Sequence, residues 1–120
     1  MTMNPAPCLI DRCGRETRRW NQLCSSHNAT AWRYGIEPFD LQLLLRGDCM
    51  IVGCHEPATT IDHDHAHHGT DIRQQRSCRE CVRGAVCMRC NLWIGVVERG
   101  GPGHNIPDLQ RERIGLYLAA

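Results

Sequence analysis

Residues 49–54 read CMIVGC and residues 87–91 read CMRCN, and these two stretches decide the fold of the chain. Each contains two cysteines with only four or two residues between them, a spacing that lets both thiolates reach one tetrahedral ion from a single turn. Together they supply the ligands of one structural zinc ion: Cys49, Cys54, Cys87 and Cys90. A helix that begins at Met88 would then be fixed by zinc at its first turn.

The N-terminal part of the chain repeats this arrangement. CLIDRC at residues 8–13 resembles CMIVGC, and a tighter pair, Cys24 and His27, follows it. The repeat predicts a second zinc site with the ligands Cys8, Cys13, Cys24 and His27. Cys78 and Cys81 are left over, with His67 and His68 as the nearest spare ligands, so a third zinc site and a loop pair without a third ion both stay open.

The composition indicates why metal would be needed. The chain has 120 residues and nine cysteines, but only 24 residues are Leu, Ile, Val or Phe. This supply is too thin for a large hydrophobic-core enzyme, and no apolar run is long enough to span a membrane. Structural zinc contributes about 10–16 kcal/mol per site in peptides and would replace the missing core.

The N-terminal sequence MTMNPAPCLIDR has no basic segment followed by an apolar run, so it does not resemble an export signal. We therefore expect a cytoplasmic protein that is not secreted. Thiols stay reduced in that compartment, which favours zinc ligation over disulfides.

The remaining pattern predicts a small, zinc-stabilised α+β protein. Residues 1–7 are expected to be a frayed arm, and a helix over residues 27–34 ends at Gly35. A second helix lies between Pro38 and Gly47. Its apolar side chains are expected in the core: Phe39, Leu41, Leu43, Leu44 and Leu45.

Beyond residue 48 the expected order is strand, loop, strand, helix. The strands lie at 59–61 and 82–87, a polar loop spans 66–80, and the helix runs from Met88 through Val97. A last helix follows Pro107 and would dock through Leu109, Leu116 and Tyr117. The chain thus divides into three parts: an N-terminal zinc module at 1–35, a zinc-pinned ββα unit at 36–100, and a linker with a short helix at 101–120.

The run DHDH at residues 62–65 lies beside a zinc site that is complete without it. Surplus ligands are not needed for folding, so Asp62, His63 and His65 are candidates for a catalytic metal site with an adjacent base. A solvated polar hairpin or a set of spare zinc ligands is the alternative interpretation. In a regular strand Asp62 and His63 point to opposite faces, so both serve one site only if the strand bends there.

Asn91 follows the zinc ligand Cys90 directly, which would fix its position at the start of a helix. Its carboxamide oxygen is a hard ligand that suits Mg²⁺. An Asn in a first helical turn is more often a cap, but its place opposite the DHDH strand favours the ligand interpretation.

From Cys49 and Cys54 through DHDH and VRGAVC to Cys90 and Asn91, the chain resembles bacteriophage recombination endonuclease VII. That family belongs to the HNH group, whose fold is the treble-clef-like ββα-metal unit. The resemblance covers about residues 36–98 and includes the Arg83-Gly84 pair. It implies a DNA endonuclease in which Asp62 and Asn91 hold a catalytic Mg²⁺ or Mn²⁺ ion, His63 is the general base, His65 belongs to the active site, and zinc is purely structural.

The chain departs from the family in its extra N-terminal zinc module, its Cys78/Cys81 loop and its short C-terminal tail. The tail contributes to dimerisation and junction grip in junction-resolving members, so the resemblance implies DNA nicking or cutting more directly than junction resolution. A homodimer stays open, and a phage origin would place the protein in the host cytoplasm.

The basic residues are all arginines, 14 of them against 13 acidic residues, for a net charge of +1. They are clustered, with five in residues 73–89 and four in residues 12–19. Arginine makes bidentate phosphate contacts, so we expect DNA-backbone contacts from Arg15, Arg18, Arg19, Arg73, Arg76, Arg79, Arg83 and Arg89. Two alternatives to the nuclease remain: a non-catalytic, zinc-stabilised nucleic-acid-binding protein and a zinc-stabilised protein-interaction adaptor.

Overall fold

The computed structural model describes residues 4–64, 79–101 and 105–120. These residues form a small α+β fold with four α-helices and two antiparallel two-stranded sheets. In chain order the elements are β1 (Ala6–Pro7), β2 (Glu16–Thr17), α1 (Ser25–Tyr34), α2 (Pro38–Arg46), β3 (Thr60–His63), β4 (Val82–Val86), α3 (Met88–Glu98) and α4 (Asp108–Ala119). A 3-10 turn at Arg79–Cys81 precedes β4. None of the described helices combines the length and apolar character that a membrane crossing requires.

The N-terminal arm is not frayed throughout, which corrects the sequence-based expectation. Ala6 and Pro7 pair with Thr17 and Glu16 in the β1–β2 sheet. A two-residue strand carries no periodicity that a sequence pattern could show, so this pairing was not predicted. It ties residues 6 and 7 to the loop that follows the first pair of cysteines.

The helix boundaries follow local chemistry and confirm the predicted helices within a few residues. α1 ends at Gly35, whose φ of 63° lies in the left-handed region that glycine tolerates. The Ile36 N–H donates to the Ala31 carbonyl at 2.9 Å and closes the cap. α2 begins at Pro38, whose fixed φ suits the first helical position. α3 begins after Cys87, whose sulfur accepts from the Cys90 N–H.

Two apolar clusters form the core. The first contains residues from before and after residue 35, and its buried members include Leu23, Tyr34, Leu41 and Ile61. The second packs α4 against α3 and β4 through Ile114, Ile94 and Val86. The N-terminal module and the following segment therefore share one core.

The core predictions for α2 and α4 are partly wrong. Leu41 and Leu45 are buried, but Phe39 and Leu43 are exposed because they lie on the outer side of α2. In α4 the buried anchor is Ile114, whereas Leu109 and Leu116 are exposed. The orientation of each helix against the core decides which of its apolar residues are buried, and the sequence pattern alone does not show that orientation.

The β3–β4 ladder contains an irregularity at the predicted site. Asp62 pairs with Gly84, but the next residue, His63, pairs with Val82, so Arg83 is an extra residue on β4. An extra residue of this kind bends the strands and re-aims nearby side chains. The bend required for Asp62 and His63 to serve one site is therefore present.

Candidate functional site

The first Cys/His cluster has the geometry of a zinc site. The ligand atoms of Cys8, Cys13, Cys24 and His27 all lie within 4.8 Å of one another. The sulfurs of Cys13 and Cys24 are 3.8 Å apart, and His27 Nδ1 lies 3.2 Å from the Cys24 sulfur. Zinc bonds of about 2.3 Å to sulfur and 2.0–2.1 Å to nitrogen give tetrahedral edges of about 3.8 and 3.6 Å. Burial and the charge of Arg15 lower the pKa of His27, which favours the neutral imidazole that a metal needs.

The second cluster, Cys49, Cys54, Cys87 and Cys90, is fully buried. The Cys54 sulfur lies 3.8 Å from those of Cys87 and Cys90, again the tetrahedral edge. Burial and the neighbouring thiols raise the pKa of Cys90 well above its ordinary value. Four thiolates this close would repel one another, and a bound divalent cation would offset their negative charge. The two clusters are thus compatible with two zinc sites.

The two clusters also repeat each other in backbone detail. In both knuckles the last cysteine donates its N–H to a buried isoleucine, Cys13 to Ile10 and Cys54 to Ile51. The residue before that cysteine has positive φ, 68° at Arg12 and 81° at Gly53. Each knuckle is completed by the first turn of a helix, α1 or α3. The internal repeat seen in the sequence is therefore a repeat of structure.

The repeat extends one residue beyond the ligands. Asn28 follows His27 as Asn91 follows Cys90. Each donates its backbone N–H to the helix-capping cysteine, Asn28 to Cys24 and Asn91 to Cys87. The Asn28 side chain accepts a hydrogen bond from Asn21 at 2.9 Å. The two asparagines thus have matched backbone positions but different surroundings.

The possible third zinc site lies largely outside the described residues, which include neither His67 nor His68 nor Cys78. Cys81 is described and is buried at the end of the 3-10 turn. None of the eight cysteines in the described part of the chain is in a disulfide.

Three of the four predicted catalytic residues meet in one cleft of about 310 Å³. Asp62 and His63 enter it from the irregular end of β3, and Asn91 enters it from the first turn of α3. Glu98 and Arg99, from the end of α3, also line it. His65 lies outside the described residues.

Asp62 is 2% exposed, and its carboxylate accepts three hydrogen bonds. Arg83 donates from Nε to Oδ2 at 2.8 Å and from Nη2 to Oδ1 at 3.1 Å. The Tyr117 hydroxyl donates to Oδ2 at 2.8 Å. Burial and this hydrogen bond raise the pKa of Tyr117, so its hydroxyl stays a donor. Gly84 gives Met50 and Tyr117 room, because a Cβ there would lie 2.5 Å from the Met50 sulfur and 3.2 Å from the Tyr117 oxygen.

Arg83, the extra residue of β4, joins three groups of the site. Besides Asp62 it donates to Glu98 at 2.9 and 3.0 Å and to the His63 carbonyl at 3.0 Å. Burial opposes its charge, but the hydrogen bonds to Glu98 and Asp62 outweigh burial and raise the pKa of Arg83. Two carboxylates around one guanidinium leave this cluster a net charge of −1, which favours a cation nearby.

His63 is held from the N-terminal module. Its Nδ1 lies 2.8 Å from the Tyr34 hydroxyl, and the two ring centroids are 5.6 Å apart. Tyr34 is the last residue of α1 and is buried. The side-chain contact therefore fixes the imidazole from outside the predicted ββα unit.

The arginines predicted to contact DNA fall into three groups. Arg73 and Arg76 lie outside the described residues. The second group is exposed and consists of Arg15, Arg18, Arg19, Arg79 and Arg89. Arg83 is instead about four-fifths enclosed and is engaged by Asp62 and Glu98, so its place is inside the site.

The sequence-based prediction missed Tyr34, Tyr117 and Glu98. Glu98 had a signal, since it is two helical turns after Asn91 and shares its face. The two tyrosines act across long separations, and no local pattern marks them. Comparison with family models, with curated proteins and with solved structures finds no match to this chain.

Proposed function

We propose that the protein is a divalent-metal-dependent DNA endonuclease of the HNH, endonuclease VII-like type, which nicks or cuts the phosphodiester backbone. The observation that carries the proposal is the meeting of Asp62, His63 and Asn91 in one cleft through the irregularity of β3 and β4. Zinc in both Cys/His clusters would be structural.

The donor set of the cleft fits Mg²⁺ or Mn²⁺. An ionised carboxylate offers about four lone-pair positions, and the three hydrogen bonds to Asp62 leave one on Oδ1. Asn91 adds a carboxamide oxygen, and Glu98 adds negative charge that offsets Arg83. A bound divalent ion would neutralise phosphate charge and stabilise the leaving oxygen.

His63 acts as the general base in this proposal. In the tautomer that this role requires, Nδ1–H donates to the Tyr34 oxygen and Nε2 accepts the proton from water. The water oxygen forms a bond to phosphorus as the bond to the 3′ oxygen breaks, and the leaving oxygen takes up a proton from solvent. Arg83 keeps the His63 backbone in place through its carbonyl.

A nicking assay on supercoiled plasmid, with and without added Mg²⁺ or Mn²⁺, tests the proposal. We expect metal-dependent nicking that His63→Ala abolishes and that His55→Ala, an exposed histidine outside the cleft, retains. The zinc content of each variant shows that the fold is intact. A wild-type protein that stays inert on plasmid, linear and branched DNA with either metal would contradict the proposal. Equal nicking by wild type and His63→Ala would remove His63 as the base.

A non-catalytic nucleic-acid-binding protein is the second candidate. It is favoured by the burial of Asp62 and its hydrogen bonds to Arg83 and Tyr117, which are also what a structural carboxylate would show. An inert protein that binds DNA with strong salt dependence would support this candidate instead.

A further inference from the structure

We propose that one DNA strand is held along a groove between α1 and β3, so that the N-terminal zinc module is the substrate grip of the cleft. The proposal rests on the function proposed above, because it names how that substrate lies. It assigns a binding role to a module that the ββα unit does not require for its own zinc site.

The proposed groove is made of three neighbouring cavities that share lining residues. The cleft at His63 shares Arg33, Tyr34, Thr60 and Ile61 with a cavity of about 330 Å³. That cavity shares Ser26 with a third, of about 260 Å³, whose lining includes Arg15. The shared residues connect Arg15 at one end with His63 at the other.

The charge along the groove suits a phosphate backbone. Arg15, Arg33 and Arg99 lie in sequence along the three cavities. Of the carboxylates there, Asp62 and Glu98 share Arg83, so these three groups keep a net charge of −1, and Asp11 is the other acidic side chain of the lining. Residues 4–35 as a whole carry five arginines against two acidic residues. Such an excess attracts polyanions without selecting a base sequence.

The groove also offers hydroxyl donors, and the N-terminal module that lines it carries exposed aromatic side chains. Ser26 and Thr60 line it and can donate to phosphate oxygens. Two indoles of the same module, Trp20 and Trp32, are 85% and 87% exposed. Exposed aromatic rings on a basic module are surfaces on which unpaired bases stack, which favours nucleic acid over a small anion as its ligand.

The length of α1 sets the size of the contact. Its ten residues span about 15 Å at 1.5 Å per residue. At 3.4 Å per nucleotide along one strand, this corresponds to about four nucleotides. The grip therefore extends about four nucleotides to one side of the phosphate at His63.

Binding measured by fluorescence anisotropy without added divalent metal, in the His63→Ala background, tests the groove without cleavage. The variants are Arg15→Gln and Arg33→Gln, and the control is Arg46→Gln, an exposed arginine on α2 outside the three cavities. Arg15 contributes its backbone carbonyl to the zinc module, a 2.7 Å contact with the Cys8 N–H that glutamine keeps. Zinc content confirms folding.

We expect each groove variant to weaken binding about fivefold and to reduce the salt slope by about 0.7–0.9, the value for one lost phosphate contact. Shortening the DNA on one side of the cut to fewer than about four nucleotides should weaken binding, whereas equal shortening on the other side should not. If both groove variants match Arg46→Gln, or if neither end of the DNA matters, the strand does not lie in this groove.

These outcomes separate the groove from the proposed function. Nicking by the wild type together with unaltered binding by Arg15→Gln and Arg33→Gln overturns the groove alone. Loss of binding in these variants of a protein that never nicks DNA supports the groove and overturns the nuclease.

Discussion

The hydroxyl of Tyr34 lies 2.8 Å from Nδ1 of His63 and joins the last turn of α1 to the irregular end of β3. The chain has two tyrosines, and the other, Tyr117, holds the neighbouring residue, Asp62, from α4. Each flank of the predicted ββα unit thus supplies a phenol to one of two adjacent site residues. Within the proposed function, Tyr34 and Tyr117 are positioning residues.

Tyr34→Phe should lower kcat about tenfold, equal to about 1.4 kcal/mol, with little change in DNA affinity. The ring stays in the core, but Nδ1 of His63 loses its partner, so the tautomer with a proton on Nδ1 is no longer favoured. NMR of the His63 imidazole measures that tautomer independently of turnover. An unchanged tautomer combined with a tenfold loss of kcat would show that Tyr34 acts in another way.

Tyr117→Phe should lower the free energy of unfolding by about 1.5–3 kcal/mol, since the buried Asp62 carboxylate loses a hydrogen bond. Urea denaturation at neutral pH measures the change. Leu116→Ala is the control on the same helix, because Leu116 is exposed and should matter little. Equal stability of wild type and Tyr117→Phe would mean that the hydroxyl is not needed to satisfy Asp62.

Asn91→Ala should abolish metal-dependent nicking, whereas Asn28→Ala should only reduce stability by about 1 kcal/mol. The two residues occupy matched positions after a pair of predicted zinc ligands, but Asn91 lines the cleft and Asn28 bonds to Asn21. If Asn91 only supported the start of its helix, Asn91→Ala and Asn28→Ala would have the same effect on nicking and on stability. Nicking rates and thermal unfolding of both variants, compared side by side, decide between these outcomes.

Zinc removal should unfold the chain, because each site is worth about 10–16 kcal/mol in peptides and the apolar clusters are small. Metal analysis should find about two zinc ions in the wild type and about one in Cys90→Ser. Cys81→Ser is the matched control, since Cys81 is equally buried but belongs to neither cluster. If the wild type holds about three zinc ions and Cys81→Ser holds one fewer, the third site is established.

Short-range patterns in the sequence predicted the parts of the site that are local. The cysteine spacings located both clusters, because ligand spacing is set within one turn. The strand, strand, helix order and the placement of Asp62, His63 and Asn91 near one another followed from those anchors. The HNH assignment and the catalytic roles stay predictions until nicking is tested.

Long-range contacts set the parts that were missed. Arg83 was expected to face DNA, but the irregularity that makes it an extra residue on β4 brings it between Asp62 and Glu98. Nothing in the local sequence specifies that register. The pairing of Ala6–Pro7 and the reach of both tyrosines depend likewise on how distant segments pack.

Because the two cysteine knuckles have the same backbone structure, the first copy can serve as a control for the second within one molecule. Knuckle, helix start and asparagine occur twice, at Cys8–Asn28 and at Cys49–Asn91, in one polypeptide at one concentration. The strand β3, which carries Asp62 and His63, lies within the second copy, between its two cysteine pairs. A swap of equivalent residues between the copies therefore separates what the helix start after each knuckle needs in order to fold from what the proposed reaction needs.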